Sequence, residues 1–368
     1  MAQFEGFVAD PILMAPAARP RVSNRTWLSA YFGTPGNALI TILCLGTIFG
    51  LAKLAIGWLF LDAIFSGTPA ECKVSSGACW PFLSTKLRYI FFGFYPFDEQ
   101  WRPLTAMLLF LGACGVSMVP RTWGRALAVT WIVVILPTLY ALMAGGLFGL
   151  TVVPTTQWGG LPLSFMLSFV GLACALPLGI ALALARASSL PAIRILGVGF
   201  IEIVRGVPLI SILFMATVML PLFMPDGITI DKLLRAQVAI ILFAAAYIAE
   251  IVRGGLQAVP KGQIEAGHSL GLHYWQIMRK IVLPQALKKV IPPLVGLFIG
   301  FFQDTTLVTI VGLLDFLDTV RTAMRDPQWQ GIAVLEGYVF AAVVYFFFSA
   351  LMGAYSRFLE QYFRTTHD

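Results

Sequence analysis

Charge is what this chain has least of: 12% of its 368 residues are Asp, Glu, Lys or Arg, while 58% are hydrophobic. A soluble domain carries about twice that charged fraction, so a water-exposed globular fold is excluded. Histidine is nearly absent, and none of His268, His273 and His367 has a nucleophile or an orienting carboxylate at a recognisable spacing. No catalytic residue is therefore named. The five cysteines include no Cys-x-x-Cys pair and no Cys/His ligand spacing, which leaves no expected metal site. The run Gly-x-x-x-x-Gly-Lys-Ser/Thr is missing too, so the chain has nothing to cradle ATP phosphates and is expected to bind no cofactor itself. The net charge is +7, yet the basic residues flank apolar runs instead of interleaving with exposed aromatics. That distribution argues against nucleic acid as a partner and for a bilayer.

What is present is a series of long apolar runs. A bilayer-crossing helix needs about 20 mostly apolar residues. On that measure the chain divides into spans near 38–61, 103–120, 126–150, 161–185, 206–224, 236–255, 290–312 and 332–356. The expected fold is all-α: a polytopic integral membrane protein of about eight transmembrane helices. The expected parts are an N-terminal tail at 1–37, rich in Pro and Gly, a set of helices at 38–150 interrupted by a hydrophilic segment at 62–102, and a second part at 151–368. A short interfacial helix is expected around Phe82 to Phe94.

Orientation follows from Lys and Arg, which concentrate in loops on the cytoplasmic side. Arg19, Arg21 and Arg25 in the tail, then Arg121 and Arg125, then Arg186, Arg194 and Arg205, then the segment 256–289, and lastly Arg357 and Arg364 all fall on one side. Both termini are expected to be cytoplasmic and 62–102 extracytoplasmic. In that oxidising setting Cys72 and Cys79 are either a disulfide or two free thiols.

Several charged residues near the spans need an account. Glu202 with Arg205 and Glu250 with Arg253 share the string Glu-Ile-Val-Arg-Gly, and a three-residue spacing allows an ion pair on one helix face. Lys53 reads as a snorkelling side chain and Glu336 as interfacial. Asp304 differs, because it lies roughly 20 Å along a helix from Lys289 and so deep in the bilayer. A carboxylate there should face a cavity or a partner, with Gln303, Thr305, Thr306 and Thr309 adding polar groups nearby. It is either a structural cap or a substrate-path group.

The segment 256–289 carries the most information. Glu265, Ala266 and Gly267 are followed after three residues by Gly271, and after nine more by Ile281, Leu283 and Pro284. Pro260 can start a short helix outside the membrane and Gly271 can end it; Leu272 to Val282 reads as a second, amphipathic piece. This spacing resembles the EAA loop of ABC-importer permeases, with Gly267 where the pattern has a second Ala. Glu202-Ile-Val-Arg-Gly-Val-Pro-Leu209, Ala249-Glu-Ile-Val-Arg-Gly-Gly255, Pro284-Gln-Ala-Leu287 and Gln303-Asp-Thr-Thr-Leu-Val308 resemble further blocks of the polar-amino-acid uptake permeases. Gln303 replaces a common Lys. Gly77-Ala-Cys-Trp80 and Tyr95-Pro-Phe-Asp-Glu-Gln-Trp-Arg-Pro103 are similar to the larger permease of general L-amino-acid importers.

The resemblance implies a type I ABC-importer permease fold at 151–368 in a bacterial inner membrane, with 256–289 as the coupling loop. It implies a second homologous permease, two ATPase subunits that hold ATP and Mg, and a periplasmic amino-acid-binding protein. The other reading is a secondary transporter or channel that works without ATPase partners.

Overall fold

The computed structural model describes residues 27–365, apart from Phe148 and Asp226. Most of the expected tail, including Arg19, Arg21 and Arg25, lies outside the described residues, as do Asp226 and His367. The tail ends sooner than 37: α1 spans Trp27–Phe32 and α2 begins at Pro35, where the Thr34 side chain caps the first turn by accepting from Asn37 N–H. Helix α2 (Pro35–Leu61) is apolar on every face, as a bilayer-crossing helix is, and it belongs to a unit that ends at Ala63.

The second unit runs from Ile64 to the C-terminus. Two short helices open it, α3 (Pro69–Val74) and α4 (Pro81–Phe92). Then follow α5 (Trp101–Ser117), α6 (Arg125–Ala144), α7 (Gly160–Arg186), α8 (Pro191–Gly206), α9 (Leu209–Phe223) and α10 (Lys232–Gln257). The last four are α11 (Lys261–Ser269), α12 (Tyr274–Val311), α13 (Phe316–Met324) and α14 (Val334–Thr365). Among the described residues six helices are long and apolar enough to cross a membrane, and α8 with α9 makes a seventh crossing if the bent pair counts as one. Helix α5, with 17 residues, occupies the remaining expected span.

The core is built on small residues. Helix α10 buries Ala236, Ala239, Ala244, Ala245, Ala246 and Ala249, and α7 lays Gly171 and Gly179 against it. A Cβ at Gly179 would stand 2.6 Å from Ile248 Cγ2, so the two backbones come as close as they do because that atom is absent. Gly255 plays the same part against α12, where a Cβ would meet Val290 Cγ1 at 2.5 Å.

The span expected at 206–224 is α9, the second arm of a bent pair. Helix α8 stops at Gly206, Val207 takes an extended conformation, and α9 sets off at 102° after Pro208. Proline supplies no N–H to the helix ladder and disfavours helical geometry in the residue before it, so Val207-Pro208 forces the corner. The loop expected before that span is itself helical.

Residues 64–150 belong to the same compact unit as the rest because their apolar side chains find partners there. Phe82 packs edge-on to Trp329, and Phe91 lies against Phe316 and Phe340. The C-terminal end of α4 presses on the start of α7, where Gly160, at φ 68°, leaves no room for a Cβ beside the Phe91 carbonyl. Parallel bridges Gly159–Leu314 and Gly160–Asp315 complete the contact. The helix expected near Phe82 to Phe94 exists, with Phe82 and Ile90 buried in protein.

Candidate functional site: the 256–289 segment and the break in α12

Helix α11 is framed at both ends by local chemistry. Pro260 precedes it in an extended conformation, and the end at Gly271, φ 71°, is a Schellman turn: Leu272 N–H donates to Gly267 O at 3.1 Å and Gly271 N–H to His268 O at 2.9 Å. Val259, Ile277, Val282 and Ala286 form a small buried cluster beneath it, with Ile264 and Leu272 against its edge. Glu265, Ala266 and His268 are exposed, and Leu270 is 78% exposed. Gly267 faces the body, and a Cβ there would meet Ile277 Cγ1 at 2.9 Å. That contact accounts for the one departure from the expected pattern.

The piece expected as separate at Leu272 to Val282 is the first part of α12. His273 caps it, its own N–H donating to Gln276 Oε1 at 3.0 Å. Over Met278–Val282 the helix widens to a π turn. Pro284 cannot donate to the Lys280 carbonyl, and a π turn is the way a helix absorbs such a fault. Ile281 and Leu283 are half-buried and Pro284 is exposed. Gln285 Nε2 donates to Gln263 Oε1 at 3.3 Å, and Lys289 bonds the Ala258 carbonyl. Gln285 thereby ties α11 to α12, and Lys289 ties α12 to the C-terminal end of α10.

At Asp304 the α-helical part of α12 ends and a 3-10 stretch, Thr305–Val311, begins. Asp304, Gln303, Thr305 and Thr306 are not brought together by shared hydrogen bonds. Gln303 Nε2 donates to Ser349 Oγ on α14 at 3.3 Å, and the buried Thr305 hydroxyl donates to the Phe302 carbonyl at 2.8 Å. Thr306 is half-buried. Asp304 is also half-buried, and among the described residues no hydrogen bond or ion pair reaches its carboxylate.

Cys72 and Cys79 form a disulfide, with Cα atoms 5.6 Å apart. Glu336 is corrected from interfacial to buried: it is 4% exposed, and its Oε1 accepts from Cys79 N–H at 2.7 Å. Glu202 is corrected as well, since its ion pair is with Arg186 at 2.8 Å and not with Arg205; Glu250 and Arg253 do pair.

Two buried charges escape a reading of the sequence. Asp315 caps α13 by accepting from Leu317 and Asp318 N–H, both at 3.1 Å, and also accepts from the Tyr345 hydroxyl at 3.2 Å. Its burial pushes the carboxyl up to about 6. Arg102, fully buried, donates to the carbonyls of Leu142 at 2.8 Å and Thr151 at 2.9 Å. The signal for Asp315 is local, an Asp just ahead of an amphipathic run; nothing local marks Arg102.

A profile of the family described as "Binding-protein-dependent transport system inner membrane component" matches residues 175–365. The chain is 46% identical over 96% of its length to the inner membrane amino-acid ABC transporter permease protein YhdY of Escherichia coli (strain K12), covering 98% of that protein. It is 34% identical, again over 96% of its length and 98% of the relative's, to the glutamate/glutamine/aspartate/asparagine transport system permease protein BztC of Rhodobacter capsulatus. Among solved structures, the crystal structure of an amino acid ABC transporter with histidines aligns with 55% of this chain and 91% of that one at TM-score 0.49 and 28% identity.

Proposed function

The chain belongs to the family of binding-protein-dependent transport system inner membrane components, and from that membership we propose its working assembly as well as its role. It is the transmembrane permease subunit of an ATP-driven ABC importer for amino acids, a multi-pass membrane protein that works by alternating access. ATP and Mg are held by two ATPase subunits; a second homologous permease stands beside this one, and a periplasmic binding protein delivers the substrate. Both termini and the segment 256–289 face the cytoplasm, and 62–102 faces the periplasm, where the Cys72–Cys79 disulfide is kept oxidised.

The observation that carries this reading is the exposed face of α11, with Glu265, Ala266 and Leu270 outward on a helix sealed at both ends and tied to α12 through Gln263 and Gln285. Such a helix suits insertion in a cleft of an ATPase subunit, and Gly267, Gly271, Ile281, Leu283 and Pro284 hold its shape. When the ATPases close on ATP, a displacement of α11 reaches α10 through Ala258-Val259-Pro260 and α12 through Leu270 to His273. Asp304 faces the translocation path and binds the α-ammonium group or a cationic side chain by a charge-assisted bond. Gln303, Thr305 and Thr306 lie beside it but bond elsewhere or stand apart.

Co-purification from membranes followed by reconstitution in liposomes tests the assembly. Uptake should require ATP, the ATPase chains and the binding protein; uptake by the permease alone would favour a secondary transporter. In the same liposomes Asp304→Asn should impair uptake and substrate-stimulated ATP hydrolysis while the subunits still assemble. If it transports every amino acid at the parental rate, the substrate site lies elsewhere, most simply in the partner permease.

A further inference from the structure

The repeated string Glu-Ile-Val-Arg-Gly, at Glu202 on α8 and Glu250 on α10, has so far no part in transport. The fold brings both copies to one place and adds Arg186 from the last turn of α7. Arg186 Nη1 lies 2.8 Å from Glu202 Oε1 and 3.6 Å from Glu250 Oε2, so two carboxylates on different helices share it. Arg205 Nη1 stands 3.6 Å from the same Glu250 Oε2, while Glu250 Oε1 is bonded to Arg253 on its own helix.

Two atoms in this cluster are under-bonded. Among the described residues, Glu250 Oε2 is buried without a hydrogen-bond partner, and so is Arg205 Nε. A separation of 3.6 Å is an ion pair, but a charge-assisted hydrogen bond closes to about 2.8 Å. A shift of under about 1 Å would therefore turn a loose contact into a bond. Drawing Arg186 to Glu250 would at the same time pull it from Glu202. Arg186 and Arg205 thus both stand 3.6 Å from one Glu250 oxygen.

We propose that Arg186, Glu202, Arg205 and Glu250 form a two-position latch that transmits motion of α11 to the bent pair α8–α9, with Glu250 and Arg205 as positioning residues. In the structure the latch is open on the Glu250 side. In its second position Arg205 closes on Glu250 Oε2 and draws α8 onto α10. The connections on either side give the movement somewhere to go: α10 continues through three residues into α11, and α8 continues through its 102° corner into α9, which packs on the 3-10 stretch after Asp304. This deepens the assembly proposed above and rests on it.

The test uses the full complex in liposomes, with Arg205→Gln, Glu250→Gln, the two combined, and Arg205→Lys. Each charge-removing single variant should lower the ratio of substrate-stimulated to basal ATP hydrolysis roughly tenfold, a common size for coupling between sites. The combined variant should be no worse than either single one, and Arg205→Lys should retain most of the ratio. Spin labels at the exposed positions Leu196 on α8 and Leu242 on α10 supply a second readout. Their separation should shorten when ATP binds, and this change should be lost in Glu250→Gln. A constant separation in the parental complex, additive single effects, or a Glu250→Gln variant with the parental ratio would each make the cluster a static staple. If the parental complex itself takes up no amino acid with ATP, the assembly is at fault and the latch falls with it.

Discussion

In the segment 256–289 the hydrogen bonds stay within the segment: the Schellman turn at Gly271, the His273 cap, and the pairs Gln263–Gln285 and Lys289–Ala258. Around 64–102 they reach across the chain, from Cys79 to Glu336, from Lys86 to Asp326, and from Ile90 to Thr319. The first region ends in an exposed helix face, while the second closes over buried polar groups and a disulfide. The difference fits the docking role proposed for the first. A surface that must be grasped by a partner needs a shape held from within its own segment; a region joining distant helices is held only by what they share. Damage to the first should cost transport and spare stability. Damage to the second should do the reverse.

The largest expected effect is on transport. Gly271→Pro replaces a residue at φ 71° with one locked near −65°, and Glu265→Lys reverses a charge on the exposed face of α11 for which docking is proposed. Both should bring ATP-driven uptake to background while the protein remains inserted and thermally stable. Normal uptake by both variants would remove the docking role. A smaller loss is expected from Gly267→Ala, whose added methyl must displace Ile277 at a local cost of about 1–3 kcal/mol. Uptake should fall several-fold. An unchanged rate would mean that Ile277 yields.

On the other side of the comparison the readout is melting in detergent. Asp315 titrates near 6 in the folded protein against about 4 unfolded, so between those values the folded state holds a proton that the unfolded state releases. Stability should therefore fall as pH rises through that window, by up to about 3 kcal/mol, and level off above it. Asp315→Asn should flatten the slope. Opening the disulfide with Cys72→Ser and Cys79→Ser should cost about 2 kcal/mol. Amino-acid uptake at moderate temperature should persist, and its loss would bring this region into the transport cycle.

The short-range features were legible in advance. Pro260 and Gly271 bracket α11 as their backbone chemistry requires, and the expected spans each hold helical structure because twenty apolar residues have few other uses in a bilayer. Asp304 stands out in the sequence as a carboxylate deep in an apolar run, and in the structure it is half-buried where the α-helical part of α12 ends. The failures are equally local in cause. Glu336 reads as interfacial when only its own helix is considered, because nothing near it in sequence announces the Cys79 N–H. Glu202 and Arg205 satisfy the spacing rule for a helical ion pair, yet an arginine on another helix is the recorded partner.

The sequence by itself determined a membrane-spanning helical chain, the frame of its protruding helix and the family it resembles, since each follows from apolar runs and from residues that act on neighbours a few positions away. Only the tertiary structure decided that 64–150 joins the core, that Glu336 and Asp315 are buried and bonded, and that one carboxylate on α10 faces arginines from α7 and α8. Those contacts depend on which helix faces come together, and close approach there is set by missing atoms such as the Cβ of Gly160 and Gly179, whose meaning appears only when the opposing backbone is in place.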